Sequence, residues 1–185
     1  MAHHVCPWWL GYFLASPIRR WMLKPDPLVA PYVKPGMTVL EPGPGMGFFT
    51  LPLAGMVGDN GRVVAVDLQP KMIERLERRA AKAGLSPRID ARVSTADSLG
   101  IADLHNRVDF TLAFAMVHEL PGKHPFFREV AVASKAGAML LLAEPGGHVK
   151  AEEFEAEIKQ ALAAGFEAVG RLTIKRMQTV LLRRK

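Results

Sequence analysis

The chain has 185 residues, a length that suits one domain and leaves little room for two. Hydrophobic residues make up 49% of it and charged residues 23%, close to the averages for globular proteins, which argues against intrinsic disorder and fibrous repeats. Lys and Arg number 24 against 18 Asp and Glu, so the formal net charge is +6, which raises the question of a nucleic-acid partner.

The excess positive charge lies at the C-terminal end. Residues 171–185 contain six basic and no acidic side chains, so the other 18 basic residues equal the 18 acidic ones. We therefore expect a neutral domain with a basic final segment, and nucleic acid is a disfavoured partner. Basic residues on a closing edge strand would also discourage pairing with other molecules.

Cysteine usage and hydropathy indicate a cytoplasmic protein. The single Cys6 cannot form an internal disulfide, which is typical of reducing compartments. No apolar run approaches the length of about 20 residues that a membrane-spanning helix needs. The apolar run at residues 8–15 has no Lys or Arg before it, unlike the charged start of a secretory signal.

From residue 37 onward, short apolar runs alternate with helical patterns, as in βαβ units that build a parallel sheet. Strands are predicted at 37–40, 62–66, 88–93, 108–115 and 138–143, with one or two closing strands within 171–182. Helices are predicted at 48–57, 70–83, 125–134 and 150–164. In the second helix the spacing places Ile73, Leu76 and Ala80 in the core and Glu74, Glu77, Arg78 and Arg79 in water. In the last helix the predicted apolar positions are Phe154, Ile158 and Leu162.

Glycines alternate at the turn after the first predicted strand. Residues 41–47 read Glu-Pro-Gly-Pro-Gly-Met-Gly, which places Gly43, Gly45 and Gly47 just before the first predicted helix. Glycines let a ligand lie against the backbone, and the following helix offers free N–H groups. Asp67 ends the second predicted strand, where a carboxylate can accept hydrogen bonds from ribose hydroxyls. The pattern therefore indicates a nucleotide-like cofactor.

The dinucleotide motif G-x-G-x-x-G fails here because Phe48 occupies its last glycine position. Residues 41–47 instead resemble the first motif of S-adenosylmethionine-dependent class I methyltransferases, acidic-x-Gly-x-Gly-x-Gly. The resemblance spans about residues 37–182 and includes Asp67, Asp97 and the segment 108–120. It implies an α/β fold, a Rossmann-like three-layer sandwich with a mostly parallel seven-stranded sheet and an antiparallel closing strand.

The resemblance also implies a role for each matching residue. Gly43, Gly45 and Gly47 would lie against the methionine and ribose parts of S-adenosylmethionine, and Glu41 would help to hold the methionine amine. Asp67 would bind the ribose hydroxyls, and Leu68 would pack on adenine. Asp97 would accept from the adenine amino group, with the Ser98 backbone nearby. The alternative is a tight glycine turn in an unrelated α/β protein, with ordinary acids at its strand ends.

One candidate for proton transfer follows the fourth predicted strand. His118 lies at the sheet edge where ligands bind, and it titrates in the range that suits a base. The alternative is that it orders its loop or lines a pocket wall. Residues 114–117 lack the Asn/Asp-Pro-Pro-aromatic motif of methyltransferases that act on base amines. The His-Glu-Leu ending resembles small-molecule methyltransferases, including the quinone-biosynthesis and arsenite groups, and a quinone-type substrate stays open. Among these, the arsenite group needs several cysteines, so the single Cys6 argues against that substrate.

Residues 1–36 form a predicted helical and aromatic cap segment ahead of a methyltransferase domain at 37–185. Its aromatic residues could close as a lid over an apolar or aromatic acceptor, or pack on the flank of the sheet. They could also touch a membrane surface through residues 8–13, because Trp and Tyr suit that interface. His3, His4 and Cys6 stand too close together for a structural zinc site, so no metal is predicted.

Together these features predict an S-adenosylmethionine-dependent methyltransferase that acts on a small-molecule acceptor by in-line methyl transfer. Such a displacement can be catalysed largely by holding the nucleophile in line with the methyl carbon. Two alternatives stay open. One is an RNA methyltransferase that uses the basic C-terminus, and the other is a non-catalytic module that binds S-adenosylmethionine or a nucleotide.

Overall fold

The computed structural model describes residues 24–185. They fall into two compact units, a first unit that includes residues 24–95 and a second unit of residues 96–185. The predictions for His3, His4, Cys6 and residues 8–13 lie outside the described part of the chain. The division at residue 36 between a cap and a domain stays a prediction.

The first unit is built on three parallel strands. They are β1 (Thr38–Pro42), β2 (Arg62–Asp67) and β3 (Ile89–Val93), in the order β3-β2-β1. Three helices accompany them: α1 (Pro25–Val29), α2 (Thr50–Val57) and α3 (Pro70–Lys82). A 3-10 turn at Ser86–Arg88 precedes β3. The three strands and the two longer helices confirm the βαβ pattern of the sequence.

Helix α3 illustrates how the sequence sets local structure. It begins after Gln69 with Pro70, whose fixed φ suits a first helical position, and it ends before Gly84 at φ 69°. Its buried residues are Met72, Ile73, Leu76 and Ala80. Ile73 and Leu76 pack with Ala65 of β2, and full burial of a leucine contributes roughly 1.5–3 kcal/mol. The predicted core-facing residues are therefore correct.

The second unit contains the other four strands. They are β4 (Val108–Phe114), β5 (Ser134–Pro145), β6 (Phe166–Gly170) and β7 (Met177–Arg184), in the order β4-β5-β7-β6. Strands β4 and β5 are parallel, whereas β7 runs antiparallel to both β5 and β6. Helices α4 (Lys123–Ala133) and α5 (Ala151–Ala163) complete the unit, with 3-10 turns at Ala102–Leu104 and Val117–Glu119.

The seven strands of residues 24–185 belong to one mostly parallel sheet with an antiparallel closing strand, so the predicted Rossmann-like α/β fold is confirmed. None of the helices within residues 24–185 is long and apolar enough to cross a membrane.

The closing strands differ from their prediction in position. One of them, β6, comes before residue 171, and only its first residue, Phe166, is buried, so it lacks the alternation that reveals a half-buried strand. The other, β7, lies between β5 and β6, so the expectation that its basic residues protect a sheet edge is wrong. Arg183 instead pairs with Glu167 at 2.6 Å, and Arg171 pairs with Glu155 at 2.6 Å.

The buried face of α5 also needs a correction. Leu162 is 39% exposed, whereas the buried residues are Phe154, Glu157, Ile158 and Ala161. A strict four-residue spacing drifts around a helix that has about 3.6 residues per turn, so the real stripe alternates steps of three and four. A glutamate therefore occupies a core position of α5.

Candidate functional site

The glycine loop after β1 adopts a left-handed backbone at each alternating glycine. The φ angles are 67° at Gly43, 55° at Gly45 and 83° at Gly47, where a residue with a side chain costs roughly 1–2 kcal/mol. A Cβ at Gly47 would lie 2.5 Å from Leu76 Cδ1, so this glycine lets the loop pack against α3. A Cβ at Gly45 would meet no atom of residues 24–185 within 4 Å, so those residues leave open space beside the backbone there.

Asp67 links the end of β2 to this loop. Its Oδ2 accepts a hydrogen bond from the Gly45 N–H at 3.2 Å, and its Oδ1 accepts one from the Gln69 N–H at 2.9 Å. Burial raises the pKa of Asp67, and the two backbone donors oppose that rise. The structure thus brings the predicted ribose-binding acid and the glycine loop together within the first unit.

Arg79 holds the same loop from the side of α3. Its guanidinium donates a hydrogen bond to the Met46 carbonyl, between two of the alternating glycines. The prediction that Arg79 faces water is therefore wrong. The helical pattern shows which side of α3 is apolar, but it cannot show that a long side chain at the border of that face reaches a loop far away in the sequence.

Glu41 is a buried acid beneath the loop. It lies in β1 opposite Ala65 and is 3% exposed. Burial raises the pKa of Glu41 to about 8, the charge of Asp67 adds to the rise, and the Thr50 hydroxyl opposes it. Neither Glu41 Oε2 nor Thr50 Oγ1 completes a hydrogen bond with a partner among the described residues. The carboxyl group therefore has an unused oxygen that suits an N–H donor.

The three other residues predicted to bind the cofactor are exposed. Leu68, directly after Asp67, is 41% exposed and offers an apolar surface. Asp97 and Ser98 lie in the second unit, in the loop after β3. The Ser98 hydroxyl donates to Glu129 Oε2 at 3.1 Å, and the Leu99 N–H donates to the same oxygen at 3.0 Å. The carboxylate on α4 thus anchors this loop, a role that the sequence pattern did not reveal.

His118 is held by a buried carboxylate in the second unit. It lies on the 3-10 turn after β4, and its Nδ1 is 2.5 Å from Oε2 of Glu144. The other oxygen, Oε1, accepts a hydrogen bond from the Val117 N–H at 2.8 Å. Glu144 is fully buried near the end of β5. The pair forms because Phe114 and Ala143 are register partners at the ends of the parallel strands.

Further charged groups surround this pair, and we call the five residues the charge cluster: His118, Glu119, Lys123, Glu144 and Glu157. The hydrogen bond to Glu144 raises the pKa of His118, burial opposes that rise, and the carboxylate charges add to it. Burial also raises the pKa of Glu157, although Lys123 Nζ, 2.6 Å from its Oε1, opposes the rise. Glu119 Oε1 lies 3.9 Å from His118 Nε2.

Sequence reasoning proposed His118 as a candidate but missed its partners. The signals were present, since Glu144 ends an apolar strand and Glu157 interrupts the apolar stripe of α5. A charged residue at a core position is rarely fully buried without a partner, so each of these two glutamates indicates a partner elsewhere in the fold. No group of His, Cys, Asp and Glu within residues 24–185 could hold a metal ion.

Comparison with known proteins identifies the class and then the family. The fold is that of class I methyltransferases, and it is similar to that of a SAM dependent methyltransferase from Aquifex aeolicus. The two share a TM-score of 0.84 and 24% identity, and the match covers 97% of this chain and 98% of the other. Residues 33–181 match the family model described as a methyltransferase domain. The chain therefore belongs to this methyltransferase family, which confirms the resemblance that the sequence motifs suggested.

Curated relatives match part of their own length. The ubiquinone/menaquinone biosynthesis C-methyltransferase UbiE of an Enterobacter species is 28% identical over 138 residues, which cover 74% of this chain and 50% of the relative. An arsenite methyltransferase of Halobacterium salinarum is 28% identical over 110 residues, 60% of this chain and 27% of the relative. The chain thus spans about half or less of the length of these two relatives.

Proposed function

We propose that this protein transfers a methyl group from S-adenosylmethionine to a small-molecule acceptor. The observation that carries the proposal is the hydrogen bond from the Gly45 N–H to Asp67, which couples the glycine loop to an acid at the end of the neighbouring strand. Family membership supports methyl transfer. The names of the relatives, a C-methyltransferase of quinone biosynthesis and an arsenite methyltransferase, support a small acceptor.

The residues of the first unit suit the parts of this cofactor. The methionine and ribose portions lie along the backbone of Gly43, Gly45 and Gly47, and the described residues leave open space beside Gly45 for them. Asp67 binds the ribose hydroxyls, and the exposed Leu68 packs on adenine. The unused Oε2 of Glu41 suits the methionine amine, directly or through water. When bound, the cofactor supplies an electrophilic methyl group on a sulfonium.

Residues of the second unit complete the proposal. Asp97 accepts a hydrogen bond from the adenine amino group, with the Ser98 backbone nearby. His118 acts as the base where the acceptor has a proton to lose. We assign these roles from the order of the residues along the chain and from the family pattern.

The acceptor is an apolar or aromatic small molecule. Arsenite is disfavoured because this chain has one cysteine. Nucleic acid is also disfavoured, since Arg171 and Arg183 of the basic segment pair with Glu155 and Glu167, and Arg184 donates to the carbonyls of Ala131 and Gly165.

We infer a cytoplasmic location from the single cysteine, and membrane-surface contact through residues 8–13 stays a proposal based on their aromatic composition.

Calorimetry with S-adenosylmethionine and S-adenosylhomocysteine tests the cofactor assignment. We expect Asp67→Asn to weaken binding at least tenfold, because a hydrogen bond to a charged group contributes roughly 1.5–3 kcal/mol and about 1.4 kcal/mol is a factor of ten. Asp59→Asn is the matched control, since Asp59 is an exposed acid of the same unit that pairs with Arg88 at 2.7 Å. Circular dichroism verifies that both variants fold.

The outcomes are distinct. Equal losses in the two variants would contradict a specific role for Asp67. A wild-type protein that binds NADH and not S-adenosylmethionine would refute the proposal altogether. Turnover is then measured with phenols, quinols, amines and thiols as acceptors, and binding without transfer to any of them would favour a non-catalytic module.

A further inference from the structure

We propose that Glu144 is a positioning residue that holds the His118 imidazole with its proton on Nδ1, so that Nε2 is the atom that accepts a proton from the acceptor. The inference rests on the proposed methyl transfer and names an acceptor class for it. That class comprises acceptors that must lose a proton as the methyl group arrives, such as phenols and enols.

The geometry of Glu144 leaves one consistent assignment of protons. Its Oε1 accepts from the Val117 N–H and its Oε2 contacts His118 Nδ1, so each oxygen has a defined partner. A carboxylate has no proton to donate, and Nδ1 must therefore be the donor. In the neutral imidazole the lone pair then resides on Nε2. Complete burial of Glu144 strengthens this hydrogen bond, because little water screens it.

The side chain of His118 is accessible and that of Glu144 is not, as proton transfer through His118 requires. Glu144 is 0% exposed, whereas the side chain of His118 is 27% exposed. The carboxylate is thus shielded while part of the imidazole stays accessible. The accessible imidazole can exchange a proton with a ligand or with solvent, whereas the buried carboxylate cannot.

The other two carboxylates of the charge cluster, Glu119 and Glu157, favour the protonated form of His118. Glu119 Oε1 lies 3.9 Å from Nε2, beyond hydrogen-bond distance but close enough to favour an imidazolium. Lys123 offsets the charge of Glu157 across 2.6 Å, which limits the negative charge near His118. These groups come from the 3-10 turn, α4 and α5, and Glu144 comes from β5.

The proton and the electrons balance in this step. The O–H bond of a phenol breaks and its proton moves to His118 Nε2. The electron pair left on oxygen forms the new bond to the methyl carbon, and the pair of the broken carbon–sulfur bond stays on sulfur, which leaves a neutral thioether. Solvent then takes the proton from Nε2.

Imidazole NMR tests the positioning role without any turnover. In the wild-type protein, ¹⁵N shifts should show the neutral His118 with its proton on Nδ1. In Glu144→Gln the amide N–H₂ would face Nδ1 as a donor, so we expect the proton to move to Nε2. The pKa of His118 should fall, because the hydrogen bond to the Glu144 carboxylate and its charge, which both raise that pKa, are lost. Glu155→Gln, at an exposed ion pair on α5, should change neither. A wild-type proton on Nε2 would overturn the proposal even if the variant failed to fold.

Kinetics test the acceptor class. For a phenol, kcat should rise with pH as His118 loses its proton. Glu144→Gln should lower kcat and move this rise to lower pH, because the carboxylate that raises the pKa of His118 is gone. Binding of S-adenosylmethionine should stay unchanged in that variant. Transfer only to acceptors that have no proton to lose, such as tertiary amines and thioethers, would overturn the acceptor class. A protein that binds no S-adenosylmethionine would refute the methyltransferase proposal and the acceptor class together. The positioning role of Glu144 is judged separately, from the tautomer of His118 that NMR detects.

Discussion

Replacing Glu41 by Gln should stabilise the protein increasingly as the pH rises. The folded state keeps a proton on Glu41, with a pKa of about 8, whereas the unfolded chain loses it near the ordinary pKa of a glutamate, 4.5. Between these two values the folded state binds more protons than the unfolded state, so the free energy of unfolding falls as pH rises. Gln stays neutral at every pH and removes this dependence.

The magnitude follows from the size of the pKa shift. One pKa unit corresponds to about 1.4 kcal/mol, so the stability difference between variant and wild type should grow by up to about 1.4 kcal/mol per pH unit. From pH 4.5 to pH 8 the stability difference should grow by about 4–5 kcal/mol at most. This is an upper bound because water that penetrates the folded protein lowers the cost of ionising Glu41. A change of that size is a large share of the 5–15 kcal/mol typical of a domain.

Urea denaturation of both proteins, at about pH 5, 6, 7 and 8, measures the difference directly. Glu77→Gln is the control, because it makes the same chemical change at an exposed position of α3 in the same unit. A difference between Glu41→Gln and wild type that is flat across the series would refute the reasoning. So would a wild-type protein that is the more stable one at pH 8.

Two further predictions concern the glycine loop and the proton on Glu41. Gly47→Ala should reduce the free energy of unfolding by more than Gly84→Ala in urea denaturation. Both positions carry a backbone cost of roughly 1–2 kcal/mol, but only the first also displaces Leu76. Equal losses of unfolding free energy in the two variants would contradict the role of Leu76. Cofactor binding near pH 7 should release up to about one proton, because a cationic amine favours the ionised form of Glu41. Calorimetry in two buffers of different ionisation enthalpy detects the release, which Glu41→Gln should abolish, and a heat independent of buffer would contradict it.

Most of the fold could be predicted because hydrophobic period and turn chemistry are local properties. Strands β1 to β5 and helices α2 to α5 occupy the predicted places within a few residues. The exception was β6, whose single buried residue gives no period to detect. Its pairing with β7 arises from contacts between segments, which no local pattern records.

The candidate site divides in the same way. The sequence by itself determined the glycine loop, because only glycines adopt its three left-handed turns without strain, and it determined that Asp67 ends the neighbouring strand. Arg79 on the Met46 carbonyl and Glu144 on His118 were decided only by the tertiary structure. These partners are separated by 33 and 26 residues, and the register of packed strands and helices brings them within hydrogen-bond distance. Whether Glu41 keeps its proton was likewise decided by the tertiary structure. Its pKa is raised by burial, and the residues that bury a carboxyl group cannot be read from the residue type itself.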